Sequence, residues 1–141
     1  MKINEVEQLV GITKKNIRFY EEQGLLDVKR SQNGYREYSE KDVELLLRIR
    51  LLRRLAVPIE EIRKVLSGKL TLSNCLERHK IYLNHEKQNL SLADTMCDEL
   101  LENNFSLSDI PAESYLEKLS EMEKGGMRFL DVSKVDIAKK K

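Results

Sequence analysis

The chain has 141 residues, 40% of them hydrophobic and 35% charged, with a formal net charge of +1. That is enough for one compact domain or a small domain with a long projecting helix, and too apolar for an outright disordered chain. No run approaches the ~18–20 apolar residues that span a bilayer, and the N-terminus has no apolar signal core, so a soluble cytoplasmic protein is expected. Two cysteines make no disulfide framework, in keeping with a reducing compartment. The charge is unevenly placed. Residues 1–67 carry 14 Lys+Arg against 11 Asp+Glu, and residues 68–141 carry 11 against 13.

Only two prolines and six glycines punctuate the sequence, which favours long helices. Asn4 with Glu7 reads as a capping box opening a short helix through Val10, ended by Gly11. Thr13 then caps a second helix from about Lys14 to Gln23, stopped by Gly24, and the pair describes a helix-turn-helix. From Leu25 to Tyr38, an Asn33-Gly34 turn and alternating aromatics predict a two-stranded wing. Ser39 with Asp42 caps a helix running to about Leu55. Ala56-Val57 forms a bend, and Pro58 starts a fourth helix that ends near Gly68.

Residues 71–103 hold the longest periodic segment. Leu76, Leu83, Leu90 and Cys97 recur every seven, and Leu72, His79, Glu86, Ala93 and Leu100 form the offset set. Together they predict an a/d seam on a helix ~50 Å long. The preceding domain is too small to cover such a seam, so a second copy of the chain is the expected partner. His79 and Glu86 weaken the seam, and Cys97 is expected as a small buried hydrophobe within it. The alternative is an internal hairpin with residues 112–124, a helix too short to cover the seam. The architecture expected is mainly α: a winged helix-turn-helix over 1–68, a long coiled-coil dimerisation helix over 69–104, and a short helix and tail over 105–141 that could form an effector region.

The chemistry concentrates in the first half. Lys14, Lys15 and Arg18 share one face of the second helix, whose N-terminal half is what a helix-turn-helix presents to base edges. An arginine donates two hydrogen bonds to guanine, and lysine supplies a point charge for phosphate. Thr13, Asn16, Phe19 and Tyr20 complete the candidate set on this helix. On the wing, Lys29, Arg30 and Arg36 interleave with Tyr35, while Tyr38 is expected to pack inward. Arg48, Arg50, Arg53 and Arg54 form a third basic cluster, some of it expected to pair with Glu44 or Glu60.

Ile17-Arg18-Phe19-Tyr20-Glu21, Gly24-Leu25-Leu26, Asn33-Gly34-Tyr35-Arg36-Glu37-Tyr38-Ser39 and Ile59-Glu60-Glu61-Ile62 follow one another over residues 3–66. In order and spacing this resembles the DNA-binding domain of the MerR family of bacterial transcription regulators. The resemblance implies a homodimer joined through an antiparallel coiled coil of the long helices, on double-stranded promoter DNA, bending and untwisting it so that RNA polymerase can use misphased elements. It implies Arg18 as a major-groove reader, Tyr20, Tyr35 and Arg36 as backbone anchors, and Arg53 as a backbone contact near the dyad. Phe19 stands where the family often has a second tyrosine, so no hydroxyl is available there.

The family's metal sensors pair a cysteine at the start of the dimer helix with cysteines in the loop beyond its end. Cys75 is near the first position, but residues 104–110 contain no cysteine or histidine. Cys75 and His79, at i and i+4, are two ligands only and are expected as packing residues, so no metal and no cofactor is expected. No phosphate-cradling glycine loop or nucleophile–base pair points to an enzyme. A second reading is an architectural DNA-bending or coiled-coil scaffold protein without effector-dependent regulation. The effector is not legible. The tail ends in Lys139-Lys140-Lys141, which reads either as a solubilising terminus or as the cytoplasmic flank of a membrane segment in a longer regulator.

Overall fold

The computed structural model describes residues 1–126, and the basic tail discussed above lies outside the described residues. Eight elements follow in order: α1 (Ile3–Val10), α2 (Lys14–Glu22), β1 (Lys29–Arg30), β2 (Arg36–Glu37), α3 (Glu40–Arg54), α4 (Ile59–Leu66), α5 (Leu72–Glu102) and α6 (Ala112–Lys124). The chain divides into two compact units, Met1–Glu77 and Arg78–Lys141.

The first unit is built around the apolar faces of α1 to α4. Val6, Val10, Ile17, Leu46, Ile49, Val57 and Ile62 are almost fully buried, and Tyr38 closes the core at 2% exposure. Cys75 joins this cluster as a packing residue. The helix boundaries follow local chemistry. Thr13 Oγ1 accepts from the Asn16 amide at the start of α2, and Ser39 with Asp42 makes a complete capping box at the start of α3. The Asn4–Glu7 box does not form, because α1 begins at Ile3 and leaves Asn4 inside the helix. The Glu7 carboxylate instead accepts the Lys14 amide at 2.8 Å, satisfying an orphan donor of the next helix. Pro58 is the cap before α4 and not its first residue, its ψ of 148° being extended.

The turn of the helix-turn-helix depends on Gly11, whose φ of 67° reverses the chain. A Cβ there would lie 2.7 Å from Arg50 Nη1, the end of a flexible side chain that would have to move aside, so the positive φ is the stronger reason for glycine.

In the second unit, Phe105 meets Tyr115 edge-on at 6.2 Å and Lys118 pairs with Glu99 at 2.9 Å. These contacts return α6 to the end of α5, so part of the hairpin treated above as the alternative does form. It leaves Leu83 and Leu90 at 42% and 58% exposure. The side chains withdrawn from solvent along α5 include His79 and Asn89. Asn89 belongs to a row displaced by one residue from the expected Leu83–Leu90 row. Cys97, expected to be buried, is exposed on the single chain because it continues the Leu83–Leu90 row.

The end of α3 carries a strained residue. The Ala56 and Val57 amides bond the Arg53 and Leu52 carbonyls at 3.0 Å each, a Schellman closure. Its left-handed position is held by Ala56, at φ 67°, and not by glycine. A left-handed L-residue costs roughly 1–2 kcal/mol, partly offset by glycine's freedom in the unfolded chain. Ala56→Gly is therefore expected to stabilise the fold by about 0.5–1 kcal/mol. An unchanged or lower urea midpoint would refute that account.

Candidate nucleic-acid interface

The exposed side of α2 follows from its periodicity. Ile17 and Tyr20 face the core, which turns Lys15, Asn16, Arg18 and Phe19 outward. Lys14 is half-buried at the helix start. Tyr20, expected as a backbone anchor, packs its ring into the core at 8% exposure. Its spacing from Ile17 decides this, since the two share one helical face.

The wing stands beside this helix. Lys29 pairs with Glu37 and Arg30 with Arg36 across an antiparallel ladder. The turn closes through Ser31 and Gly34, whose amides bond Tyr35 and Ser31 carbonyls at 2.8 and 2.9 Å. Tyr35 projects outward at 67% exposure, with the Lys2 ammonium 5.8 Å from its ring centre. Lys2, Arg18, Arg30, Tyr35 and Arg36 line a groove of about 260 Å³ between the wing and α2. A groove lined by four cations and a phenol suits a phosphodiester, which offers anionic oxygens to charged and hydroxyl donors.

Several basic side chains have internal partners. Arg36 donates from Nε to Glu21 Oε2 at 2.5 Å, and Arg30 Nη2 lies 3.7 Å from the other oxygen. Arg36 is thus an anchor of the wing to α2 as well as a groove residue. Arg50 donates to the Val10 carbonyl, Arg53 to Val57 and Arg63 to Gln23, at 3.0, 2.9 and 2.8 Å from the closest nitrogen. Arg53, expected near a DNA dyad, has one nitrogen engaged in closing the α3 bend. Arg48 pairs with Glu44 at 3.9 Å, an exposed contact of little energetic weight. Glu21 and Lys2 were missed in the sequence. Neither belongs to a basic run, and only the placement of the wing gives them neighbours.

Glu37 and Tyr38, among the described residues, titrate away from their ordinary values. The Met1 ammonium and Lys2 hold the Glu37 carboxyl below the usual glutamate range. Burial, with the nearby Glu21 carboxylate, raises the Tyr38 phenol.

A helix presenting Lys15, Asn16 and Arg18 beside a basic two-stranded wing defines a winged helix-turn-helix protein. Residues 1–69 match the MerR HTH family of regulatory proteins, so the chain carries a MerR-family helix-turn-helix domain. It is 41% identical over 81 residues to the HTH-type transcriptional regulator CueR of Escherichia coli O157:H7, a match covering 56% of each chain. The chain thus spans about half the length of this curated relative. Among solved structures, PbrR691 of Ralstonia metallidurans CH34, a transcription regulator in complex with lead(II), is 25% identical. It aligns at a TM-score of 0.65 over 72% of this chain and 86% of its own. A MerR-family regulator from Bacillus cereus shares the fold at TM-score 0.66 and 18% identity, covering 88% of this chain and 98% of its own.

The Tyr38 hydroxyl is buried with no hydrogen-bond partner among the described residues. Removing an unsatisfied buried hydroxyl is favourable, so Tyr38→Phe is expected to stabilise by about 1 kcal/mol near neutral pH. Because the folded phenol titrates above its ordinary 10.0, the stability it contributes by staying neutral is present below that value. It is lost as pH rises through the folded pKa. The variant should lack this alkaline component, and denaturation midpoints at neutral and alkaline pH check both statements.

Proposed function

We propose that this chain is a homodimeric, sequence-specific DNA-binding transcription regulator of the MerR type that distorts promoter DNA for RNA polymerase under control of an effector. The observation that carries the reading is the basic groove joining the wing to the exposed face of α2. Arg18 reads a base edge from α2, while Lys14, Lys15 and Asn16 engage the backbone or adjoining bases and Thr13 holds the helix start. Phe19, lacking a hydroxyl, contributes only apolar contact. Lys29, Arg30, Tyr35 and Arg36 engage phosphates flanking the groove, and Arg53 offers its remaining donors. The family membership of residues 1–69 supports the same reading.

Dimerisation is assigned to α5 within a middle domain of residues 69–104, with 105–141 as the effector region. Leu83, Leu90 and Cys97 are exposed on the single chain and recur every seven residues after Leu76, with Leu72, Ala93 and Leu100 in the offset set beside them. A two-fold partner would cover this row and supply a second α2 for a second half-site. Lead binding is a property of PbrR691. Here no group of three His, Cys, Asp or Glu side chains suited to a metal occurs among the described residues, and no metal is assigned as effector. No helix among the described residues is long and apolar enough to cross a membrane.

Arg18→Ala is expected to cost about 1–3 kcal/mol in specific binding and to relax the preference at one base pair. Fluorescence anisotropy on a duplex selected by the wild-type chain, at fixed salt, measures this; unchanged affinity would remove Arg18 from the interface. Leu83→Asp and Leu90→Asp place charge in the exposed row, where covering it is costly. Both should sediment as monomers and lose tight DNA binding. A persistent dimer at low concentration would move the interface elsewhere. Architectural bending without regulation predicts equal in vitro transcription with and without cell extract as effector source.

A further inference from the structure

The groove beside α2 gathers Lys2, Arg18, Arg30 and Arg36 around one small space. Like charges so close repel one another, and the repulsion is strongest where water is partly excluded. Carboxylates stand behind them: Glu37 lies 3.1 Å from Lys2 Nζ, and Glu21 serves the wing arginines. Glu21 comes from the α2 face next to Arg18, and its side chain is only 16% exposed. Its Oε2 accepts from Arg36 Nε at 2.5 Å, and its Oε1 lies 3.7 Å from Arg30 Nη2. Glu21 does not line the groove itself.

The orientation of Arg36 is informative. A guanidinium carries five N–H donors in a rigid fork. Arg36 uses the Nε edge toward Glu21, and its terminal nitrogens make no hydrogen bond among the described residues. The carboxylate thus fixes the plane of the fork from behind and leaves its bidentate end available on the groove side. Arg30 is steadied from the other end as well, donating from Nη1 to the Gly34 carbonyl at 3.3 Å.

We infer that Glu21 is the positioning residue of the interface: an internal carboxylate that locks the wing arginines against α2 so that helix and wing meet DNA in one fixed register. The inference rests on the DNA-binding reading above and extends it to specificity. A phosphate carries no sequence information, but a phosphate contact held at a fixed distance from α2 sets where Arg18 falls on the base edges. Without Glu21 the arginines keep their attraction for DNA, and the hairpin loses its tie to the recognition helix. Specific and non-specific binding then separate.

The test uses the full chain with two probes: a duplex selected by the wild-type chain from a randomised pool, and poly(dI-dC). Glu21→Ala is expected to weaken binding to the selected duplex by about tenfold. Affinity for poly(dI-dC) at the same salt should hold or rise, since one negative charge has been removed. The isosteric Glu21→Gln guards against a folding artefact and should change the ratio in the same direction. Glu21→Ala combined with Arg36→Ala should be no weaker on the selected duplex than Arg36→Ala alone. A wild-type ratio of the two affinities, a parallel loss on both probes, or additive effects in the double variant would each overturn the inference. The clamp is also read without DNA, from the Arg36 Nε–H resonance of the free protein. It should move in Glu21→Ala, and a stationary resonance would overturn the clamp. If the wild-type chain enriches no duplex, the DNA reading itself falls, and the resonance alone still reports whether the clamp exists.

Discussion

The arrangement of the first unit depends on arginines that close the ends of helices to which they do not belong. A helix ends with carbonyls that have no partner within it and with partial negative charge. Arg50 of α3 reaches the Val10 carbonyl at the end of α1, and Arg63 of α4 reaches the Gln23 carbonyl at the end of α2. Each contact joins residues forty positions apart in the chain. The helix-turn-helix is thereby fastened to the pair of helices that follows it, and the apolar core under α1 to α4 is sealed at its polar margins. Charge-assisted hydrogen bonds of this kind are worth more than neutral ones, and removing one partner leaves carbonyls without a donor. The position of α2, and with it any surface α2 offers, follows from these closures.

They also change the meaning of the basic composition. A surplus of lysine and arginine in the first half invites an electrostatic explanation, yet Arg50, Arg53 and Arg63 each donate to a backbone carbonyl. The cations around the groove form a smaller and more specific group. Net charge describes the field a protein projects, whereas the placement of each guanidinium determines which part of that field is available to a ligand.

Most elements of the fold were legible because they depend on local chemistry. Thr13, Ser39 with Asp42, Gly11 and Gly24 mark helix ends through contacts within a few residues, and the Asn33-Gly34 turn marks the wing. Asn4 failed as a cap for the same reason: α1 is capped at Lys2 and starts two residues earlier than an Asn4 cap requires, and Glu7 found a better donor on the neighbouring helix. The roles of Glu21, Lys2 and Arg63 were not legible, since they arise where distant segments meet. Tyr20 carries two readings at once. Its spacing from Ile17 placed the ring on the buried face, where it packs, while the family resemblance concerns its hydroxyl as an anchor. On α5 the heptad reading identified a long helix, but such a helix has more than one apolar row. The rows through Asn89 and through Leu90 differ by one residue, and hydrophobic period alone does not tell which is covered within the chain.

Gly11 and Arg50 carry a consequence for how such a domain can drift. The guanidinium that closes α1 occupies the space in which a side chain on residue 11 would begin. A side chain at the turn would push this flexible guanidinium aside and cost the hydrogen bond it makes to the Val10 carbonyl, in addition to the strain of a left-handed backbone. Substitution at residue 11 is thereby coupled to the closure of α1 by Arg50. A shorter residue on α3 would make room at the turn and would itself leave the Val10 carbonyl without its arginine donor.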